Sequence, residues 1–296
     1  MDKKTGNWVD HILIIPHVRK ARIAGMVIEL AGWLESRGIG YYLFPEDAEA
    51  LGVSMPAPPE ESLDGSVDLA IVLGGDGTIL HAVEVLRGND IPLFGINIGK
   101  MGFLTAAEVH QVDHALEELL AGHYWISERV PIGCSLVSED SRRDFRALNE
   151  IVIGKLIRER LIHLSTYING EFFMRYSGDG LIFSSATGST AYSLSSGGPI
   201  VTPELKCFLL TPICAHMLFS RPMVLDARDR VKVVVEEEPE RLALSIDGRQ
   251  DVEVPTGAAI EFYCLDEKIR ILELQGSSFY QTLRKKFLSP PPGEEG

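Results

Sequence analysis

Cysteine is scarce and follows no pattern. Four residues, Cys134, Cys207, Cys214 and Cys264, stand far apart with no Cys-x-x-Cys pair. Neither a disulfide framework nor a zinc site is implied, and a reduced, cytoplasmic compartment is the expectation. Long apolar runs are missing as well. No stretch approaches the length of a bilayer crossing, and the apolar run at 12–15 behind Lys3 and Lys4 is too short for a signal peptide, so no membrane partner is expected. Positive charge is in deficit: the formal net charge of −14 would repel a phosphate backbone and argues against nucleic acid as a partner. A nucleotide, which needs only local donors and a metal, is compatible with that balance. Much of the acid sits on stretches such as 236–238 that read as solvated turns. No internal repeat is present. What remains is ordinary for a globular chain: 45% apolar and 24% charged residues over 296 positions, enough for two domains with separate cores.

The first third alternates strand and helix. Strands are expected at 11–15, 41–44, 68–73 and 91–97. Helical faces are marked by Ile23, Val27, Leu30 and Leu34, then by Ile79, Ala82, Val83 and Leu86, then by Val109, Val112, Leu116, Leu119 and Leu120, with Gly38, Gly88 and Gly122 where each would stop. Alternation of this kind predicts a Rossmann-like parallel sheet covered by helices, with ligands at the carboxyl ends of the strands. From about residue 126 short β-type runs take over and continue to 269–274, separated by turns such as Asn169-Gly170 and Asp247-Gly248. A short helical piece near 190–194 interrupts them. The expected organisation is an α/β domain over 1–125, a β-sandwich over 126–275, and a C-terminal helix with a flexible tail over 276–296. Ser278 would cap that helix, and its stripe of Phe279, Leu283 and Phe287 would dock back on the first domain.

The stretch Leu73-Gly74-Gly75-Asp76-Gly77-Thr78 joins a predicted strand to a predicted helix. In such a turn backbone N–H groups and a helix N-terminus cradle phosphate oxygens, and glycines let a bulky anion come close. A carboxylate in that place repels the ligand unless it faces a metal ion or takes a proton from a nucleophile, so Asp76 is the residue of interest. A second cluster, Asn97 to Leu104 with Gly99 and Gly102, also follows a strand and is able to share one crevice with the first. Asn149-Glu150 offers a donor with an acceptor beside an acceptor alone, a set suited to vicinal ribose hydroxyls, although the pair taken by itself reads more readily as a surface pair. Residues 177–180, 184–193 and 197–199 concentrate small hydroxyls, glycines and Tyr192 between apolar runs, which fits a loop lining a polar pocket.

Taken in order, Gly74-Gly75-Asp76-Gly77-Thr78, Asn97-x-Gly99-x-x-Gly102-Phe103-Leu104, Asn149-Glu150, Thr187-Gly188-Ser189-Thr190-Ala191-Tyr192 and Asp247-Gly248 resemble the NAD kinase family over nearly the whole chain. The first string is shared with phosphofructokinases and diacylglycerol-type lipid kinases; the others make the likeness specific. The resemblance implies transfer of the γ-phosphoryl group of ATP to the 2′-hydroxyl of the adenosine ribose of NAD, giving NADP and ADP. It implies a divalent metal, usually Mg²⁺, held mainly through ATP phosphates, and self-association to a dimer or tetramer. By position, Asp76 is the base, and Gly74, Gly75, Gly77 and Thr78 hold ATP phosphates. The NAD side falls to Asp76, Gly77, His81, Phe103, Asn149, Glu150, Arg175, Asp179, Thr187, Thr190, Ala191, Tyr192, Ser195 and Asp247. Arg249, Ala186 and Ala215 depart from the family pattern. Two rivals share parts of the signature. A lipid kinase would want an apolar mouth or basic surface, against the acidic balance. A non-catalytic NADP-binding sensor would have no need of Asp76.

Overall fold

A computed structural model describes residues 9–20, 22–59, 63–99, 102–138, 141–156, 161–217, 220–236 and 241–287. The chain opens as β1 (His11–Pro16), α1 (Ile23–Glu35), β2 (Gly40–Leu43), α2 (Pro45–Leu51), β3 (Leu69–Gly74), α3 (Asp76–Val85), β4 (Leu93–Asn97), β5 (Ala107–Glu108), α4 (Val112–Leu120) and β6 (Tyr124–Arg129). It continues through β7 (Ile132–Val137), β8 (Arg142–Ala147), β9 (Glu150–Lys155), β10 (Ile162–Ile168), β11 (Glu171–Gly178) and β12 (Gly180–Ser185). After α5 (Tyr192–Ser195) come β13 (Cys207–Ile213), β14 (Met223–Asp226), β15 (Val231–Val235), β16 (Leu242–Ile246), β17 (Gln250–Val254) and β18 (Ala259–Cys264), and the chain ends with β19 (Ile269–Leu274) and α6 (Phe279–Phe287). It divides into two compact units, residues 1–128 with 269–296, and residues 129–268.

The first unit is built on a sheet of order β2-β1-β3-β4-β19-β6, with β5 beside β4. The β1–β2, β1–β3, β3–β4 and β4–β19 pairings are all parallel. Every residue of β3 and β4 is buried, the unbroken apolar pattern of strands covered on both faces. Val27, Leu30 and Leu34 of α1 and Leu116 and Leu119 of α4 join Ile12, Ile14, Ile71 and Phe94 in one core. The expected alternation is therefore present, with one helix more than the periodicity revealed. α2 has only seven residues, too few for a 3.6-residue pattern to show, and starts on Pro45 with Glu46 and Asp47 in its first turn.

One expected assignment is corrected. Residues 269–274 read as a last strand of the sandwich, but β19 pairs with β4 through Ile271 and Leu93 and belongs to the first unit. Leu272 is fully buried in that unit's core, with Leu274 packed against it. Alternating apolar residues identify a strand; they carry nothing about which sheet receives it.

The second unit is a sandwich of two six-stranded sheets, β11-β10-β15-β18-β7-β8 and β14-β13-β12-β9-β16-β17, antiparallel in the recorded pairings. Phe183 of one sheet and Phe262 of the other stack with ring centroids 3.6 Å apart, at the centre of a core that includes Ile151, Phe208, Val233 and Leu244. The C-terminal helix, as expected, packs within the first unit, where Phe279 and Phe287 meet Phe103. The expected tail at 290–296 lies outside the described residues.

Candidate active site

In the first unit β3 runs into the turn at Gly75 and α3 starts at Asp76; the Thr78 and Ile79 N–H groups bond the Gly75 carbonyl at 2.9 and 3.2 Å, while those of Asp76 and Gly77 have no acceptor inside the helix and face the turn. Gly74 makes this possible: a Cβ there would stand 2.1 Å from Thr78 Oγ1. Thr78 is buried, and its hydroxyl has no hydrogen-bond partner among the described residues. Helix dipole, amides and an unpaired hydroxyl form a set that phosphate oxygens satisfy.

Asp76 is gripped from the loop after β4. The Phe103 N–H donates to its Oδ2 at 2.9 Å and the Leu104 N–H to its Oδ1 at 3.1 Å. Gly102 lies so close that a Cβ would fall 1.8 Å from Oδ1. The two glycine clusters thus meet on one carboxylate, as loops at the ends of adjacent strands should. Each oxygen holds one amide and keeps acceptor capacity for another donor, such as a hydroxyl. Buried Asn97 closes the same loop, its Nδ2 donating to the Gly99 carbonyl at 2.9 Å and its Oδ1 accepting the Gly99 N–H at 3.2 Å. The Phe103 ring is covered by Phe279 and Phe287 at 5.9 and 6.2 Å, with Lys286 Nζ 4.3 Å above it. His81 lies further along α3, half-buried.

In the second unit Asp247 and Gly248 are the central residues of a β-turn, at φ of 48° and 62°, closed by the Arg249 N–H on the Ile246 carbonyl at 2.9 Å, and Arg249 completes the loop before β17 pairs with β16 from Gln250. The turn brings the Asp247 carboxylate onto the start of β9. Oδ2 accepts the Leu148 N–H at 2.9 Å, and Oδ1 accepts those of Asn149 at 2.8 Å and Glu150 at 3.0 Å. The Asp247 N–H in turn donates to the Glu150 carbonyl at 3.0 Å. The hydroxyl-rich loop reaches the same place: a Cβ on Gly188 would stand 2.1 Å from the Asn149 carbonyl oxygen. Ser185 Oγ donates to the Leu148 carbonyl at 2.5 Å and accepts the Gly188 N–H at 3.1 Å. The Tyr192 N–H bonds to the Glu150 carboxylate. Three separated motifs, Asn149-Glu150, 187–192 and Asp247-Gly248, therefore form one cluster.

Glu150 is buried, and its Oε2 has no partner among the described residues. Burial, then the charge of Asp247, push its pKa up to about 7 against the pull of the Tyr192 amide. Burial likewise raises Asp247, opposed by its three amides and by Arg249. A buried acid with an empty acceptor is ready for hydroxyl or amine donors of a ligand. Thr187 Oγ1 is also buried and unpartnered among the described residues, while Thr190 Oγ1 closes its one-turn helix on the Thr187 carbonyl at 3.5 Å; Ala191 and Ser195 bound the short α5.

A cavity of about 550 Å³ opens in this unit, with Lys155, Asp179, Tyr192, Cys214 and Asp251 in its wall. Lys155 Nζ binds Asp179 Oδ1 at 2.6 Å; a single lysine ending a strand gives no sequence signal, and Lys155 was not anticipated. Arg175 stands apart from these groups, exposed on β11 in the other sheet with its guanidinium 2.5 Å from Glu236. A second cavity of about 410 Å³, between α1 and residues 109–116 of the first unit, contains none of the anticipated site residues. Among the described residues no three His, Cys, Asp or Glu side chains gather to hold a metal, and no helix is long and apolar enough to cross a membrane.

A glycine-turned anion cradle carrying an amide-held carboxylate, in an α/β unit joined to a β-sandwich, defines a phosphotransferase of the Gly-Gly-Asp-Gly-Thr class. Residues 12–124 match the ATP-NAD kinase N-terminal domain and residues 148–274 the ATP-NAD kinase C-terminal domain. The chain is 36% identical to the NAD kinase of Moorella thermoacetica over 94% of its own length and 89% of that protein, and 36% identical to the NAD kinase of Geobacter metallireducens over 93% and 97%. It belongs to the NAD kinase family, phosphotransferases with an alcohol group as acceptor. Among solved structures, an Archaeoglobus fulgidus NAD kinase in complex with ATP superposes with a TM-score of 0.73 at 25% identity, covering 93% of this chain and 98% of that one. A yeast NADH kinase complexed with NADH shares the fold, with a TM-score of 0.87 at 24% identity over 97% and 90% of the two chains.

Proposed function

We propose that this chain transfers the γ-phosphoryl group of ATP to the 2′-hydroxyl of the adenosine ribose of NAD, with Asp76 as general base. The observation that carries the reading is the double amide grip on Asp76 beside the anion cradle. A secondary ribose hydroxyl is a poor nucleophile near neutral pH, and a carboxylate fixed within hydrogen-bond reach takes its proton as the oxygen attacks phosphorus. The bond to the β–γ bridging oxygen breaks, ADP leaves, and the proton passes from Asp76 to water. Most of the acceleration comes from alignment, with cradle amides and Thr78 taking up charge on the phosphates. On the NAD side, Asn149 donates to and accepts from ribose hydroxyls and the open Glu150 oxygen accepts from them, while Thr187, Ala191, Tyr192 and Ser195 shape the base pockets. Relatives solved with ATP and with NADH support both ligand classes.

Asp247 enters as a positioning residue: with three amides on its oxygens, it acts through the Asn149-Glu150 segment. Arg175, paired to Glu236, contributes little to the NAD side on this reading. A divalent cation would arrive on the triphosphate, whose charge it neutralises. Self-association to a dimer or tetramer and a cytoplasmic location complete the proposal. The test is Asp76→Asn. Calorimetric NAD binding is expected to persist while NADP formation from ATP, Mg²⁺ and NAD falls by about 10²-fold or more; near-normal turnover would remove Asp76 as base.

A further inference from the structure

Lys20 belongs to the loop between β1 and α1 and carries no motif. The sheet order β1-β3-β4 places the turn after β3 between the loops that follow β1 and β4. Backbone bonds pin it from both sides: the His17 N–H donates to the Leu73 carbonyl at 2.9 Å and the Ile98 N–H to the Gly74 carbonyl at 3.0 Å. Lys20 spans this gap. Its Nζ lies 3.0 Å from where a Cβ on Gly99 would be, so a side chain from the β1 loop reaches the β4 loop across the end of β3. Gly99 is itself fixed by both atoms of the Asn97 amide, and Asn97 Oδ1 lies 3.9 Å from a Cβ position on Gly75.

The lysine is half-buried, and among the described residues no carboxylate pairs with it. A half-buried ammonium without a counter-ion favours an anionic partner. The unpartnered, buried Thr78 hydroxyl points to an anion at the same turn. We infer that Lys20 is a further phosphate-binding residue, its ammonium taking the outer phosphates of ATP from the side opposite the α3 amides. The inference rests on the reading that the Gly74–Thr78 turn holds those phosphates. A point charge with three donors on a flexible stem suits oxygens whose charge shifts during transfer.

The experiment measures binding of ATP, AMP and NAD by calorimetry, and initial rates, for the wild type, Lys20→Met, Lys20→Arg and Thr78→Val. Lys20→Met should weaken ATP about 10- to 100-fold, the worth of a charge-assisted hydrogen bond, with AMP and NAD affinities within twofold. Lys20→Arg should recover most of the loss. Met keeps the stem and Val the shape of Thr78, and melting temperatures check that both fold. If Thr78→Val weakens ATP while Lys20→Met leaves it within twofold, the cradle stands and Lys20 is excluded. Unchanged ATP affinity in both variants would overturn the cradle and Lys20 together. Equal losses for ATP and AMP would also refute a role on the outer phosphates.

Discussion

Replacing Gly102 by Ala should uncouple phosphoryl transfer from binding. The new Cβ would stand 1.8 Å from Asp76 Oδ1, 2.6 Å from its Cγ and 2.9 Å from Oδ2, far inside van der Waals contact. Either the carboxylate swings about χ1 or the loop backs away, and both movements break the amide bonds from Phe103 and Leu104. Each hydrogen bond to a charged group is worth about 1.5–3 kcal/mol, so rotation is costly; the loop moving instead incurs an overpacking cost of about 1–3 kcal/mol. A base displaced by about 1 Å loses roughly 10²-fold in rate. Turnover in a coupled NADP assay should therefore drop about 10²-fold. The NAD affinity measured by calorimetry should stay within a few fold, because the clash touches none of the groups at Asn149-Glu150. Gly25→Ala, where a Cβ meets nothing within 4 Å on α1, serves as the control for glycine replacement as such. A Gly102→Ala enzyme with normal turnover would refute the claim that the Phe103 and Leu104 amides set the position of Asp76.

Asp247→Asn should raise KM for NAD and lower stability by about 1–3 kcal/mol while changing kcat little, because an amide nitrogen then faces a backbone N–H at the start of β9. Asn tolerates the left-handed φ of 48° at this position, so the turn itself is spared; thermal unfolding beside steady-state kinetics checks it. Affinity for NAD should rise with pH through about 7 as Glu150 ionises, and Glu150→Gln should flatten that rise. The sign for stability is opposite. A carboxyl with a raised folded pKa stabilises fully below its unfolded value of about 4.5 and loses that contribution as pH climbs through about 7, so thermal melts of the unliganded protein should fall across this window and Glu150→Gln should not.

The α/β half was largely legible because β3 and β4 are uninterrupted apolar runs and α1 and α4 carry a 3.6-residue stripe, signals that arise from local burial alone. The glycine motifs were legible for the same reason, since strand, turn and helix are adjacent in sequence. β19 was misplaced because its pairing with β4 depends on residues nearly 180 positions away, which periodicity does not encode. Lys155 and Lys20 escaped notice for a related reason. Each is a single long side chain in an unremarkable segment, and its meaning lies in what the fold sets beside it, Asp179 in one case and Gly99 in the other.

Asp76 and Asp247 expose a common device. Each carboxylate is held by backbone amides of a loop that carries another motif: 102–104 for Asp76, and 148–150 for Asp247. Backbone donors are set by the path of the chain, not by a rotamer, so an acid tied to them loses little entropy on binding its ligand and reorganises little during reaction. The arrangement also explains why the glycines sit where they do. Gly102 leaves the space that the Asp76 carboxylate fills, and Gly188 leaves the space that the Asn149 carbonyl fills. At Gly102 acid and glycine are thus two halves of one contact, and a substitution at either should damage the same step as a substitution at the other. In double-variant cycles Gly102→Ala with Asp76→Asn should be far from additive, with the second change adding less than a threefold loss to the first. Full additivity of the two losses would mean that the glycine acts on catalysis by a route that does not pass through the carboxylate.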